Sequence, residues 1–283
     1  RTLLIPTLYL QLLTEGRVAA VKQSGLFSGR NATARASASY KVEGLDKAWL
    51  QQLAQAAYDD LVAQLRSAGY TVITYAEAKD REVLRGAARN TEAGPMGLPV
   101  KSENGNEYVV VAPSDEQQFK SGFAGGAFSE FISGGKTRIH DATVIIPSFV
   151  IQAPQAWTDT GSGYKRVSAE ANVAPGMNLG SASAHWLGQP KSRMMRGIPG
   201  VATKAQVINT TEQAGELVKV EDTTPQAANA LSTVFSMFGA GNVQRSSAKY
   251  ELRVDRDAYR NGVLNAVRHF NAEVAKAAAA ATP

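Results

Sequence analysis

The string Ser133-Gly-Gly-Lys-Thr-Arg138 has the residue types that cradle a phosphate. A phosphate-binding loop also needs a glycine five residues before its second glycine, and it must open a helix. Counting back from Gly135 gives Glu130, and the string leads toward a strand. A Gly-rich turn with exposed basic residues fits better. Gly161-Ser-Gly163 and Gly239-Ala-Gly241 do not extend to a dinucleotide fingerprint. A Gly-x-Ser-x-Gly nucleophile elbow is absent.

The histidines are His140, His185 and His269, too far apart for the i,i+4 pair of a hydrolytic zinc site. His140-Asp141 is the best acid–base candidate, because a neighbouring carboxylate raises an imidazole pKa. Adjacent strand residues point to opposite faces, which favours a turn or surface histidine instead. A hydrolase acting on an anionic substrate would use His140 and Asp141 beside Lys136 and Arg138. Asp59 and Asp60 fall opposite an apolar helix face, where solvated charge is expected. Asp255 and Asp257 fall at a helix start, where negative charge complements the dipole. No catalytic residue, cofactor site or metal site is assigned.

Phe119, Phe123, Phe128 and Phe131 accompany Gly122, Gly125 and Gly126 in one segment, and Phe235, Met237 and Phe238 form a second apolar group. Core packing is the first reading of both. The other is a subunit contact through Phe119, Phe123, Phe128, Phe131, Phe235 and Phe238, since aromatics favour interface centres.

Certain elements must carry these residues. Leu50, Leu53, Ala54, Ala57, Leu61, Leu65 and Ala68 recur at helical spacing, with Asp46 as N-cap and Gly69 as the left-handed terminator. Tyr70–Tyr75 is β-branched and aromatic, hence a strand, and a second helix is expected over Glu77–Arg89. Arg17–Val21, the long helix and Tyr70–Tyr75 suggest a βαβ-like unit with parallel pairing. Residues 90–106 read as a loop, Tyr108–Ala112 as a strand and Asp115–Ser133 as a helix. Ala142–Ala153 is a strand that Pro147 demotes to an edge, a bulge or a break. Val201–Asn209 and Gly215–Val220 read as a hairpin, and Ala227–Phe238 as a short helix. Lys249–Val254 is a strand, and Asp257 to about Ala275 a closing amphipathic helix. Together these predict a mixed α/β domain spanning 1–283, its partly parallel sheet flanked by helices. A β-rich insertion is expected near 154–200 and a frayed Ala-rich end near 276–283.

Composition narrows the classes. An apolar content of 44% over 283 residues suffices for a core without disulfides. Cysteine is absent, which removes thiolate nucleophiles and Cys-based metal sites. The net charge of +5 is spread along the chain without a basic run, so nucleic acid is not an expected partner. No run approaches the roughly 18 apolar residues of a spanning helix, although membrane association by other means stays open. The chain begins at Arg1 rather than Met, and no signal peptide is recognised.

Arg17–Val21, the helix ending Leu61-Val-Ala-Gln-Leu-Arg-Ser-Ala-Gly69, and Tyr70-Thr-Val-Ile-Thr-Tyr75 resemble the opening of the curli-secretion-lipoprotein (CsgG-like) family. Ala142–Ala153 and the string Ala205–Val218, with its Gly215-Glu216, resemble that family's central strand and strand–turn–strand element, and the closing helix also fits. The resemblance lies in element order and a few local strings over about two thirds of the chain. It implies a periplasmic or outer-membrane α/β domain that self-associates into rings and meets other envelope proteins. No lipid-acceptor cysteine or pair of membrane-inserting hairpins is identified, so scaffolding carries over rather than pore formation. The expected function is therefore a non-enzymatic envelope assembly protein. The alternatives are the hydrolase above and a soluble peptide- or glycan-binding module.

Overall fold

A computed structural model describes residues 2–23, 33–120, 142–163, 166–187, 200–204, 213–222 and 243–280. The architecture is mixed α/β, with an eleven-stranded sheet and a separate two-stranded one. The main path runs β11 (Gly200–Lys204), β10 (Asn178–Leu187), β7 (Thr143–Gln152), β2 (Tyr9–Gln23), β3 (Thr33–Glu43), β13 (Val243–Val254), β12 (Gly215–Asp222). Two side branches add β1 (Thr2–Ile5) with β4 (Thr71–Thr74), and β6 (Asn106–Val111) with β5 (Val100–Glu103). Strand β2 is the hub: Tyr9–Leu12 pair with β7, Leu10–Glu15 with β6 and Glu15–Gln23 with β3.

Helix α1 (Lys47–Ser67) forms where the apolar spacing predicts it. Asp46 caps it by accepting the Trp49 amide at 2.9 Å, and Gly69 follows at φ +87°. Its buried stripe packs with α4 (Arg256–Ala280) on one sheet face, over Leu10, Leu12, Ile145, Phe149, Ile151 and Ala182. Phe149 and Phe270 meet edge to face at 5.3 Å. The Asp255 carboxylate accepts the Asp257 and Ala258 amides at 3.0 Å, capping α4. Asp60 is not merely solvated as expected. It accepts Asn271 Nδ2 at 2.8 Å and so ties α1 to α4. No helix among the described residues is long and apolar enough to cross a membrane.

The opposite face carries two smaller clusters. One joins Leu4, Tyr9, Val144 and Ile146 to the short helices α2 (Tyr75–Ala78) and α3 (Glu82–Arg85). The other joins Leu13, Tyr40, Tyr108 and Val150 to Ala156 and Val173 of the antiparallel pair β8 (Gln155–Gly163) and β9 (Arg166–Ala174).

Several expectations are corrected. The helix over Glu77–Arg89 is two separate turns, because the chain bends to seat Tyr75, Ala78 and Leu84 against the sheet. The helix over Asp115–Ser133 begins instead as a 3₁₀ turn, Asp115–Gln117, and residues 121–133 lie outside the described set. Here Gln118 Oε1 accepts the Ala112 amide at 2.9 Å and Gln117 Nε2 donates to the Pro6 carbonyl at 3.2 Å. Those side-chain bonds accompany the turn over Asp115–Gln118. The βαβ unit is also rearranged: β4 pairs in parallel with β1, and Arg17–Val21 is the far half of β2. Of the hairpin expected from Val201–Asn209 and Gly215–Val220, residues 205–209 lie outside the described set, and the described parts do not pair, since β11 and β12 end opposite sides of the strand path. Pro147 does not interrupt β7. It pairs with Ala184, while β7's other partners, β1 at Thr143–Val144 and β2 at Ser148–Ile151, leave Ile145–Pro147 facing the break at residues 6–8. The missing proline amide is therefore not needed there. The segment Ala227–Phe238 lies outside the described residues.

Candidate functional site

Alternation along the central strands sends one set of side chains to the helices and the other to the opposite face. On that face β2 presents Tyr9, Gln11 and Leu13, and β7 presents Ile146, Ser148 and Val150. In both strands the first residue belongs to one apolar cluster and the third to the other. Gln11 and Ser148 are thus a polar break between two apolar clusters at the middle of the sheet. Gln11 Nε2 donates to Ser148 Oγ at 3.1 Å.

A groove of about 390 Å³ opens over this break. Ser181, Ser183 and Gly180 of β10 line one side, and Ser181 and Ser183 pair across to Val150 and Ser148. Asn106 and Tyr108 of β6, with Lys101 and Glu103 of β5, line the other. Gln152 closes one end and donates to the Tyr108 hydroxyl at 3.1 Å. Lys101 Nζ sits 2.7 Å from Glu103 Oε2. Asn106 Oδ1 accepts from the Tyr40 hydroxyl at 3.1 Å and from the Arg17 amide at 3.3 Å. Burial, with Tyr108 adding to it, pushes the Tyr40 phenol up to about 12, so it stays a neutral donor.

Gln11 is 2% exposed, and its Oε1 has no hydrogen-bond partner among the described residues. Buried amide oxygens are normally satisfied, because an unpartnered one loses its hydration without replacement. A residue lining the groove therefore carries a buried acceptor without a partner among the described residues.

The sheet also has exposed features. Among the described residues β11 and β12 are each paired on one flank only. Val220 is 60% exposed at the register shift between Lys219 and Glu221 of β12. Trp157 on β8 is 45% exposed and donates through Nε1 to Asp159 at 3.1 Å.

Of the residues singled out from sequence, Phe119 is 2% exposed and packed within its own chain. Tyr75 meets it edge to face at 6.3 Å, and the Arg89 guanidinium lies 4.5 Å over its ring. Phe123, Phe128, Phe131, Phe235, Phe238, Lys136, Arg138, His140 and Asp141 lie outside the described residues. The His185 backbone pairs with Ile146 and Gly200 in the sheet, and His269 is exposed on α4. Among the described residues no group of three or more His, Asp or Glu side chains could hold a metal.

The groove residues were not foreseen, because Gln and Ser in isolation carry no chemical signature. One signal was present. Asn104-Gly105 adopts φ +52° and +78°, the turn that Asn-Gly specifies, and it makes the supposed loop over 90–106 end in the β5–β6 hairpin. No family model, curated protein or solved structure matches this chain.

Proposed function

We propose that this protein is a non-enzymatic cell-envelope assembly protein that self-associates, as its sequence resemblance to the curli-secretion-lipoprotein family implies. The observation that carries the reading is the position of two sheet edges. β11 and β12 end opposite sides of one strand path, and among the described residues each has one flank without a partner. Unpaired edge backbone is a template for strand addition. Two different edges on opposite sides favour a head-to-tail contact, which closes into a ring when the rotation per subunit allows. Periplasmic or outer-membrane location belongs to the same proposal.

Light scattering coupled to size exclusion tests it. The expected result is a discrete particle several times the 30.1 kDa chain mass. Val220→Lys at the β12 edge returns it to one chain, whereas Val21→Lys, on the equally exposed far half of β2, does not. A single chain mass at every concentration overturns the reading.

A further inference from the structure

We infer that the groove across β5, β6, β2, β7 and β10 is a binding site for an uncharged, polyhydroxylated ligand, a short neutral saccharide. A scaffold needing only stability would join the two apolar clusters through apolar side chains at positions 11 and 148. Instead Gln11 and Ser148 interrupt them, and Gln11 Oε1 is buried with no partner among the described residues. Pairing that acceptor takes a turn of the Gln11 amide toward the groove it lines, where a sugar hydroxyl supplies the donor.

The remaining lining selects the same class. Ser181, Ser183, Asn106 and Gln152 mix donors and acceptors, as hydroxyls that both give and accept require. The lining charges, Lys101 and Glu103, lie 2.7 Å apart and neutralise each other, which disfavours an anionic or cationic ligand. A peptide bound by strand addition needs a sheet edge, whereas this groove lies on a sheet face and is lined mainly by side chains. The volume of about 390 Å³ falls within the span of small-ligand sites.

The test is calorimetric titration of the full chain with maltotriose, cellotriose and chitotriose, and with an N-acetylated, C-amidated trialanine. The expected result is saturable binding of at least one saccharide, weakened about tenfold or more by Gln11→Leu and by Ser183→Leu. Circular dichroism of both variants checks folding, and Ser183→Leu, at a half-buried position, keeps the test intact if Gln11→Leu misfolds. No binding by any of the three saccharides overturns the proposal. So does binding that both variants leave unchanged, or binding of the trialanine alone. None of these outcomes bears on self-association, which is read from mass.

Discussion

Tyr40 lies directly across from Gly16 in the β2–β3 pair, and its ring occupies the space that a side chain on Gly16 would fill. A Cβ at position 16 would also collide with Asn106 Oδ1. Gly16 is therefore what lets Tyr40 reach Asn106 and hold the groove wall. Gly16→Ala should destabilise the fold by about 1–3 kcal/mol through overpacking. Denaturant titration gives that figure, and amide chemical shifts of Asn106 and Tyr108 should move with it.

The Tyr58 hydroxyl donates to the Ile5 carbonyl at 2.7 Å and accepts the Tyr75 amide at 2.9 Å. One buried phenol thus links β1, α1 and the start of α2, and burial pushes its pKa up to about 12. Tyr58→Phe leaves both backbone groups without their partner in a dry site. A loss of about 2–4 kcal/mol is expected in urea unfolding, and no measurable loss would mean that water replaces the hydroxyl.

Tyr259 is fully buried, and its hydroxyl has no partner among the described residues. Burial drives its pKa upward, so it remains neutral. Tyr259→Phe removes that unsatisfied group while keeping the edge contact with Trp49 at 5.8 Å. Stability should hold or rise by up to about 1 kcal/mol. Tyr259→Ala, by contrast, should lose about 3–5 kcal/mol, as large aromatic truncations do. Thermal unfolding of the two variants separates hydroxyl from ring.

Hydrogen bonds from Lys47 and then Gln51, with the Lys47 charge, hold the Asp115 carboxyl below its ordinary value. A depressed folded pKa stabilises fully above the unfolded value of about 3.9 and is lost as pH falls through the folded one. Asp115 is largely solvent-exposed, so the pair contributes at most about 1 kcal/mol. Asp115→Asn should lower stability slightly at neutral pH and reduce its decline below about pH 4, measured by unfolding at successive pH values.

Much of the local structure was legible in the chain. The stripe from Leu50 to Leu65, its Asp46 cap and its Gly69 terminator are set by interactions within a few residues, so spacing alone determines α1. The same holds for β4, for the core of β7, for α4 and for the mixed α/β class that their order implies. Partners at a distance were not legible. β11 and β12 read as a hairpin because they are neighbours in the chain, yet they pair with β10 and β13 instead. The Asp115 segment reads as a helix, but its described start is a 3₁₀ turn whose Gln117 side chain reaches the distant Pro6 carbonyl.

The groove shows the division most plainly. Alternation on β2 and β7 determines that Gln11 and Ser148 leave the helix-facing core. Only the registry of five strands brings them together with residues from 101 to 183. Strand registry is settled by burial summed over the whole sheet, which no local window contains.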